Sequence, residues 1–136
     1  MQIRDVTDAV MLLKAYEYKK QEYFGIICLD SGRNVICKKT LFKGGSSRSI
    51  VDLKVVYWEA CKKNACAIIV FHNHPSGNVR PSDEDIETTR LIEQASKIMG
   101  IQLLDHVIVG KHHYYSFKEH DMIGVEDKEE KKVAER

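Results

Sequence analysis

Residues 65–71, ACAIIVF, are apolar from end to end, with no polar residue at every second position. A strand that shows one face to water alternates, so this run reads as a strand covered on both faces, as in an α/β sheet. It is also far too short to span a bilayer, which takes about 20 apolar residues.

The flanking sequence supplies the covering layers. Thr7 can cap a helix that carries Val10, Met11, Lys14 and Ala15 and fades near Lys20. Residues 22–30, EYFGIICLD, are rich in aromatic and β-branched residues and read as a strand. A turn at Ser31-Gly32-Arg33-Asn34 joins it to a second strand over 35–42, making a hairpin. Residues 52–64 are helical by period, with Leu53, Val56, Ala60 and Cys61 on one face. Residues 82–99 form a second long helix with Leu91, Ile92, Ala95, Ile98 and Met99 on its buried side, and Gly100 stands where it should end. A strand follows over 101–109, then a short edge strand over 112–117. From Val125 the sequence VEDKEEKKVAER is charged and nearly free of apolar residues, and is expected to be a frayed helix or disordered. This order of elements describes an α/β layered domain built around a mixed sheet. The 136 residues fit one domain, with no internal repeat. The expected division is an N-terminal helix over 1–21 packed on a domain over 22–124, with a flexible tail over 125–136.

Charge narrows the classes of function. The net charge of +1 gives no general electrostatic case for a nucleic-acid binder. Lys38, Lys39, Lys43 and Arg48, with Lys62, Lys63 and Arg80, could form a local basic patch, although such residues usually line a solvated face. Cys28, Cys37, Cys61 and Cys66 are spaced by 9, 24 and 5 residues, which does not suit a four-cysteine zinc site. They read as small buried hydrophobes in a reducing compartment. The N-terminus MQIRDVTDAVM has no charged leader followed by an apolar core, so a cytoplasmic protein is expected. Gly44-Gly45-Ser46-Ser47 lacks the spacing of a phosphate-binding loop and reads as a flexible loop beside a site.

Directly after the apolar run comes HNHPSGNVRPSDED, residues 72–85. Residues two apart in a strand point to the same side, so His72 and His74 can aim at one point past the strand end. Pro75-Ser76-Gly77 turns the chain, and Asp85 lies in the first turn of the helix that starts at Ser82. Strand ends that face helix starts are where open α/β sheets place ligands. Two histidines and one carboxylate with a fourth position open form a catalytic zinc arrangement. A plainer reading also fits: Ser82-x-x-Asp85 is a capping box, which would leave both residues to the helix start alone. The letters HNH match the HNH nucleases only by adjacency. A zinc deaminase would need H-x-E and P-C-x-x-C, and neither is present.

The complete pattern is H-x-H, seven residues, Ser, two residues, Asp: His72, His74, Ser82 and Asp85. It resembles the JAMM (MPN+) metallopeptidase signature. The blocks NACAIIVFHNHPSG, PSDEDIETTRLIEQASKIMGIQLLDHVIVG and YYSFKEH are similar to the RadC family, over roughly residues 22–124. The resemblance implies a single-domain, three-layer α-β-α structure with a mixed sheet, the JAB/MPN (cytidine-deaminase-like) fold. It implies Zn2+ held by His72, His74 and Asp85, with catalytic roles for Glu22 and Ser82. Ser82 would donate to an oxyanion. Glu22, in QEYFGIICLD, would take a proton from a zinc-activated water and pass it to the leaving amine. Asp105 and His106, in LLDHVIVG, also match; a strand-end packing pair is the plain reading, and a support behind a ligand imidazole the functional one.

Some positions depart from the family. Leu53-Lys54-Val55 stands where Pro-Arg-Glu is frequent, and Gly44-Gly45 where Gly-Thr is frequent. About 20 residues precede the domain and show no helix-hairpin-helix, which weakens a DNA role. The expectation is therefore a zinc metallopeptidase-like hydrolase acting on a peptide or isopeptide amide of a peptide or protein substrate. The alternatives are a DNA-repair-associated accessory protein and a metal-binding domain without hydrolysis. No membrane partner is expected, and an oligomer is compatible with the sequence.

Overall fold

In the computed structural model, which describes residues 1–44 and 51–124, the apolar run becomes the middle strand of a five-stranded sheet. Strand β3 (Ala67–Asn73) is buried along its whole length. Around it lie β1 (Tyr23–Leu29), β2 (Val35–Lys43), β4 (Gln102–Gly110) and β5 (His113–Ser116), in the order β2-β1-β3-β4-β5. Strands β3 and β4 run parallel and every other neighbouring pair is antiparallel, so the sheet is mixed.

Each face of the sheet has its own apolar core. Helices α2 (Leu53–Lys62) and α3 (Asp83–Met99) cover one face, where Val56, Tyr57, Ala60 and Ile92 pack with Ile26, Ile68 and Val70. Helix α1 (Val6–Leu12) and a 3-10 turn (Lys14–Tyr18) lie on the other, where Ala9 and Leu13 pack with Ile27, Leu29, Ile69 and Phe71. The fold is thus α/β with helices on both sides of a mixed sheet, consistent with the JAB/MPN fold. Among the described residues no helix is long and apolar enough to cross a membrane.

Three local expectations are corrected. Helix α1 is capped by Asp5, not Thr7: the Asp5 carboxylate accepts from the backbone N–H groups of Thr7 and Asp8. Met11, which this helix carries, is exposed. On α3, Ile92 is buried with Thr89 and Ser96, while Leu91, Ile98 and Met99 face outward. Apolar residues stand on several sides of this helix, so the period alone does not fix which side turns in. The polar residues that do turn in have partners: Ser96 meets the Tyr57 hydroxyl at 2.7 Å, and Thr89 meets groups of the site described below. Finally, Cys28 is buried and Cys37 half-buried, but Cys61 and Cys66 are exposed, so Cys61 is not on the packed face of α2.

The expected basic patch is partly consumed by local pairing. Lys39 and Lys62 both pair with the buried carboxylate of Glu59, and Lys38 donates to the Leu12 carbonyl at 3.0 Å. Arg48, the loop beyond Gly44 and the charged tail from Val125 lie outside the described residues.

A bulge in β4 sets what the sheet presents to the site. Ile68 pairs with Leu103 but Ile69 pairs with Asp105, so Leu104 is an extra residue. Every side chain after Leu104 is shifted to the opposite face, because strand periodicity is two. His106 therefore falls beside Val70, on the α3 side.

Candidate metal centre

The site forms where β3 ends and α3 begins. His72 is the second-to-last residue of β3, and its ring lies buried on the α3 side, roughly parallel to that of Phe24 with centroids 6.1 Å apart. His74 follows just past the strand. Its backbone N–H donates to the Val109 carbonyl at 2.9 Å, and Gly77, at φ +85°, lets the chain double back beneath it. Ser82 caps α3 and Asp85 is its third residue; each bonds the other's backbone N–H, at 3.0 and 2.9 Å, completing the capping box. Glu22 comes from the residue before β1, 50 positions upstream of His72.

These residues converge. One ligand atom from each of Glu22, His72, His74 and Asp85 lies within 4.8 Å of the others. His72 Nε2 and His74 Nε2 are 3.0 Å apart; His72 Nε2 is 3.2 Å from Asp85 Oδ1 and His74 Nε2 is 3.2 Å from Asp85 Oδ2. A tetrahedral ion with bonds of about 2.0–2.1 Å separates its ligand atoms by about 3.3 Å, close to all three distances. Glu22 Oε1 is 3.8 Å from His72 Nε2, the longest of these contacts.

The hydrogen bonds behind the triangle fix where the protons sit. The Thr89 hydroxyl donates to the Asp85 carbonyl at 2.7 Å, so its oxygen must accept from His106 Nδ1, 2.5 Å away. Burial, followed by the adjacent His72, pushes the His106 imidazole well below the ordinary histidine range, so it carries one proton. With that proton on Nδ1, His106 Nε2 accepts from His72 Nδ1 at 2.8 Å. His74 Nδ1 likewise donates to the Asn78 carbonyl at 2.8 Å. Both Nδ1–H groups are thus used within the protein, and both Nε2 lone pairs are turned into the cleft. Two nitrogen lone pairs and a carboxylate this close repel unless a cation lies between them.

A proton can partly fill that role. Burial works to lower the His74 pKa, but the Asp85 carboxylate and the Asn78 carbonyl outweigh it and the net shift is upward. Burial works to raise Asp85, yet the imidazoles of His72 and His74 hold its carboxyl well below the usual carboxylate range. The donor set suits a divalent ion better, since one ion is shared by both imidazoles and the carboxylate.

The cleft around these atoms has a volume of about 210 Å3, with Ser82, Phe24 and Thr88 in its wall. Larger hollows of about 700 and 350 Å3 lie at the C-terminal end of α3 and beside α1. Among the described residues only the small cleft gathers a set of metal-ligating atoms. Every site residue expected from sequence reaches it: Glu22, His72, His74, Ser82 and Asp85. The Asp105–His106 pair divides. His106 backs His72, whereas Asp105 ties β4 to the turn after β5, accepting from Ser116 Oγ, His106 N and Lys118 N at 2.6, 2.7 and 3.0 Å. Thr89 was not legible as a site residue; its only sequence signal is the four-residue step from Asp85 along one helix face. Phe117, stacked on His106 at 4.6 Å, was also missed.

The RadC-like JAB domain family model matches residues 3–122. The UPF0758 protein of Clostridium perfringens (strain ATCC 13124) is 42% identical over 115 residues, covering 85% of this chain and 51% of that protein. The UPF0758 protein of Listeria welshimeri is 44% identical over 118 residues, covering 86% of the chain and 53% of the relative. That of Alkaliphilus metalliredigens is 42% identical over 113 residues, at 83% and 49%. The chain thus spans about half the length of the curated relatives it matches.

Proposed function

The chain belongs to the RadC-like JAB domain family, and from that membership and the geometry of the cleft we propose that it is a zinc-dependent hydrolase of peptide or isopeptide amide bonds. The observation that carries the reading is the convergence of two outward-turned Nε2 lone pairs and the Asp85 carboxylate at tetrahedral ligand spacing. His72, His74 and Asp85 hold the ion. When bound there, zinc lowers the pKa of water toward neutrality and polarises a carbonyl.

The remaining chemistry falls to side chains of the cleft. Glu22 stands next to the ligand triangle without belonging to it, where its carboxylate can accept a proton from the attacking water and return it to the leaving amine. Ser82 uses an oxygen lone pair to accept from Asp85 N–H, which leaves its hydroxyl proton free to donate to an oxyanion. Helix capping and catalysis therefore draw on different parts of one hydroxyl. The cleft is small, which suits one amide of an extended chain more than a bulky ligand.

Zinc content and turnover of a fluorogenic peptide and isopeptide series test the reading together. It predicts one zinc per chain, hydrolysis by the wild type, and loss of at least about a hundredfold in rate in Glu22→Gln with zinc retained. A chain that binds no zinc contradicts it. The same family membership supports a DNA-repair-associated accessory protein, or a metal-binding domain without hydrolysis. Zinc retained with no turnover across the series would favour the latter, and DNA binding that falls steeply with salt the former.

A further inference from the structure

The middle residue of the HNH triplet, Asn73, has no part in the ligand set, yet it is 1% exposed and both ends of its side chain are committed. The backbone ladder between β1 and β3 ends at the pair Phe24 and His72. Beyond it the Asn73 carboxamide takes over. Its Oδ1 accepts from the Tyr23 backbone N–H at 2.7 Å, and its Nδ2 donates to the Gln21 carbonyl at 2.9 Å. The carboxamide thus supplies a donor and an acceptor past the last backbone pair, and its two bonds grip the residues on either side of Glu22. From the opposite side, Gly44 N–H donates to the Glu22 carbonyl at 2.7 Å.

We infer that Asn73 is a positioning residue: it fixes the Glu22 carboxylate over the cleft by holding residues 21 and 23 to the segment that carries both histidines. This rests on the proposed role of Glu22. Only an uncharged carboxamide of this length provides the acceptor and the donor together. Aspartate lacks the donor when ionised, leucine lacks both groups, and glutamine is one methylene too long for the same reach. Glu22 is half-exposed and lies at a strand entrance, where chain ends fray unless they are tied. The two bonds of Asn73 tie this entrance to β3. The residue between the histidines thereby couples the remote carboxylate to the ligand set.

The test uses the full chain loaded with Co2+, whose visible absorption reports the surroundings of the ion. It compares wild type, Glu22→Gln, Asn73→Leu and the double variant. The proposal predicts that Glu22→Gln and Asn73→Leu each shift the visible band, and that the double variant shifts no further than Glu22→Gln alone. Cobalt affinity in Asn73→Leu should fall by less than about tenfold, since no ligand or ligand partner is removed. An Asn73→Leu band identical to wild type beside a shifted Glu22→Gln band overturns the role of Asn73 and leaves the metal reading standing. Additive shifts also overturn it. An unshifted Glu22→Gln band removes Glu22 from the ion's surroundings and the proposal with it, and a wild type that binds no cobalt defeats the underlying reading as well. A second measurement needs no variant. Exchange of the Asn73 side-chain amide in the wild type should be slowed at least about tenfold relative to an exposed asparagine; free exchange overturns the clamp.

Discussion

Thr89 shows how much can depend on a residue that touches no ligand atom. Its hydroxyl sets the proton on His106, which in turn sets the proton on His72. Thr89→Val keeps the shape and removes that instruction. It is expected to weaken zinc binding roughly tenfold, as loss of a partner behind a metal-ligating histidine does. Competition with a chromophoric chelator measures this, and an unchanged affinity would sever Thr89 from the site. The ionisable groups of the cleft give a pH prediction for the metal-free chain. The Asp85 carboxyl is held down, so its contribution to stability is present above about pH 3.9 and is lost as pH falls through its folded value. The His74 imidazole is held up, so its contribution is present below about pH 6.5 and is lost as pH rises through its folded value. Zinc must displace the His74 proton, so the rise in Tm on adding zinc should be larger at pH 8 than at pH 5. Thermal scans with and without zinc at the two values decide it, and an equal rise would contradict the assignment of His74.

At the level of elements, two close approaches carry the geometry. A Cβ at Gly25 of β1 would lie 2.3 Å from a Phe71 ring carbon and 2.5 Å from the Lys39 carbonyl oxygen. Gly25→Ala must push strand β1 away from β2 or displace the Phe71 ring, at a cost of about 3 kcal/mol; urea unfolding measures it, and a change under about 0.5 kcal/mol would contradict the packing. The start of α3 has two duties that substitution can separate. Ser82→Ala removes cap and donor together and should cost about 1 kcal/mol. Ser82→Asp restores the acceptor of the cap without a hydroxyl proton, so stability should return while turnover does not. Recovery of both would show that Ser82 serves the helix alone. These elements also mark what could be read from the sequence. The apolar run over 65–71 and the turn chemistry around it gave β3, because local sequence decides that feature, while the family resemblance of the HxH–Ser82–Asp85 pattern singled out the residues that the structure brings to one cleft. The inward side of α3 was misread, since Leu91, Ile98 and Met99 are as apolar as Ile92 and only the partners of Thr89 and Ser96 turn them inward. The bulge at Leu104 and the clamp at Asn73 were not legible, because each exists only once distant strands are paired.

Across the whole molecule, three separate parts of the chain meet at one cleft: the entrance to β1, the exit of β3 and the start of α3. The sheet order makes this meeting possible, because β1 and β4 flank β3 and bring Glu22 and His106 to it from either side. An ion bound there stitches these parts together, so it should stabilise the fold as a whole. At free zinc a hundredfold above its dissociation constant, the expected gain is about 2.7 kcal/mol. Anomalous diffraction from crystals of the zinc-loaded chain tests the central claim most directly. The account predicts a single peak at this cleft, about 2.0–2.2 Å from His72 Nε2, His74 Nε2 and an Asp85 oxygen, with Glu22 outside the bonded set. A peak elsewhere, or one bonded directly by Glu22, would contradict it.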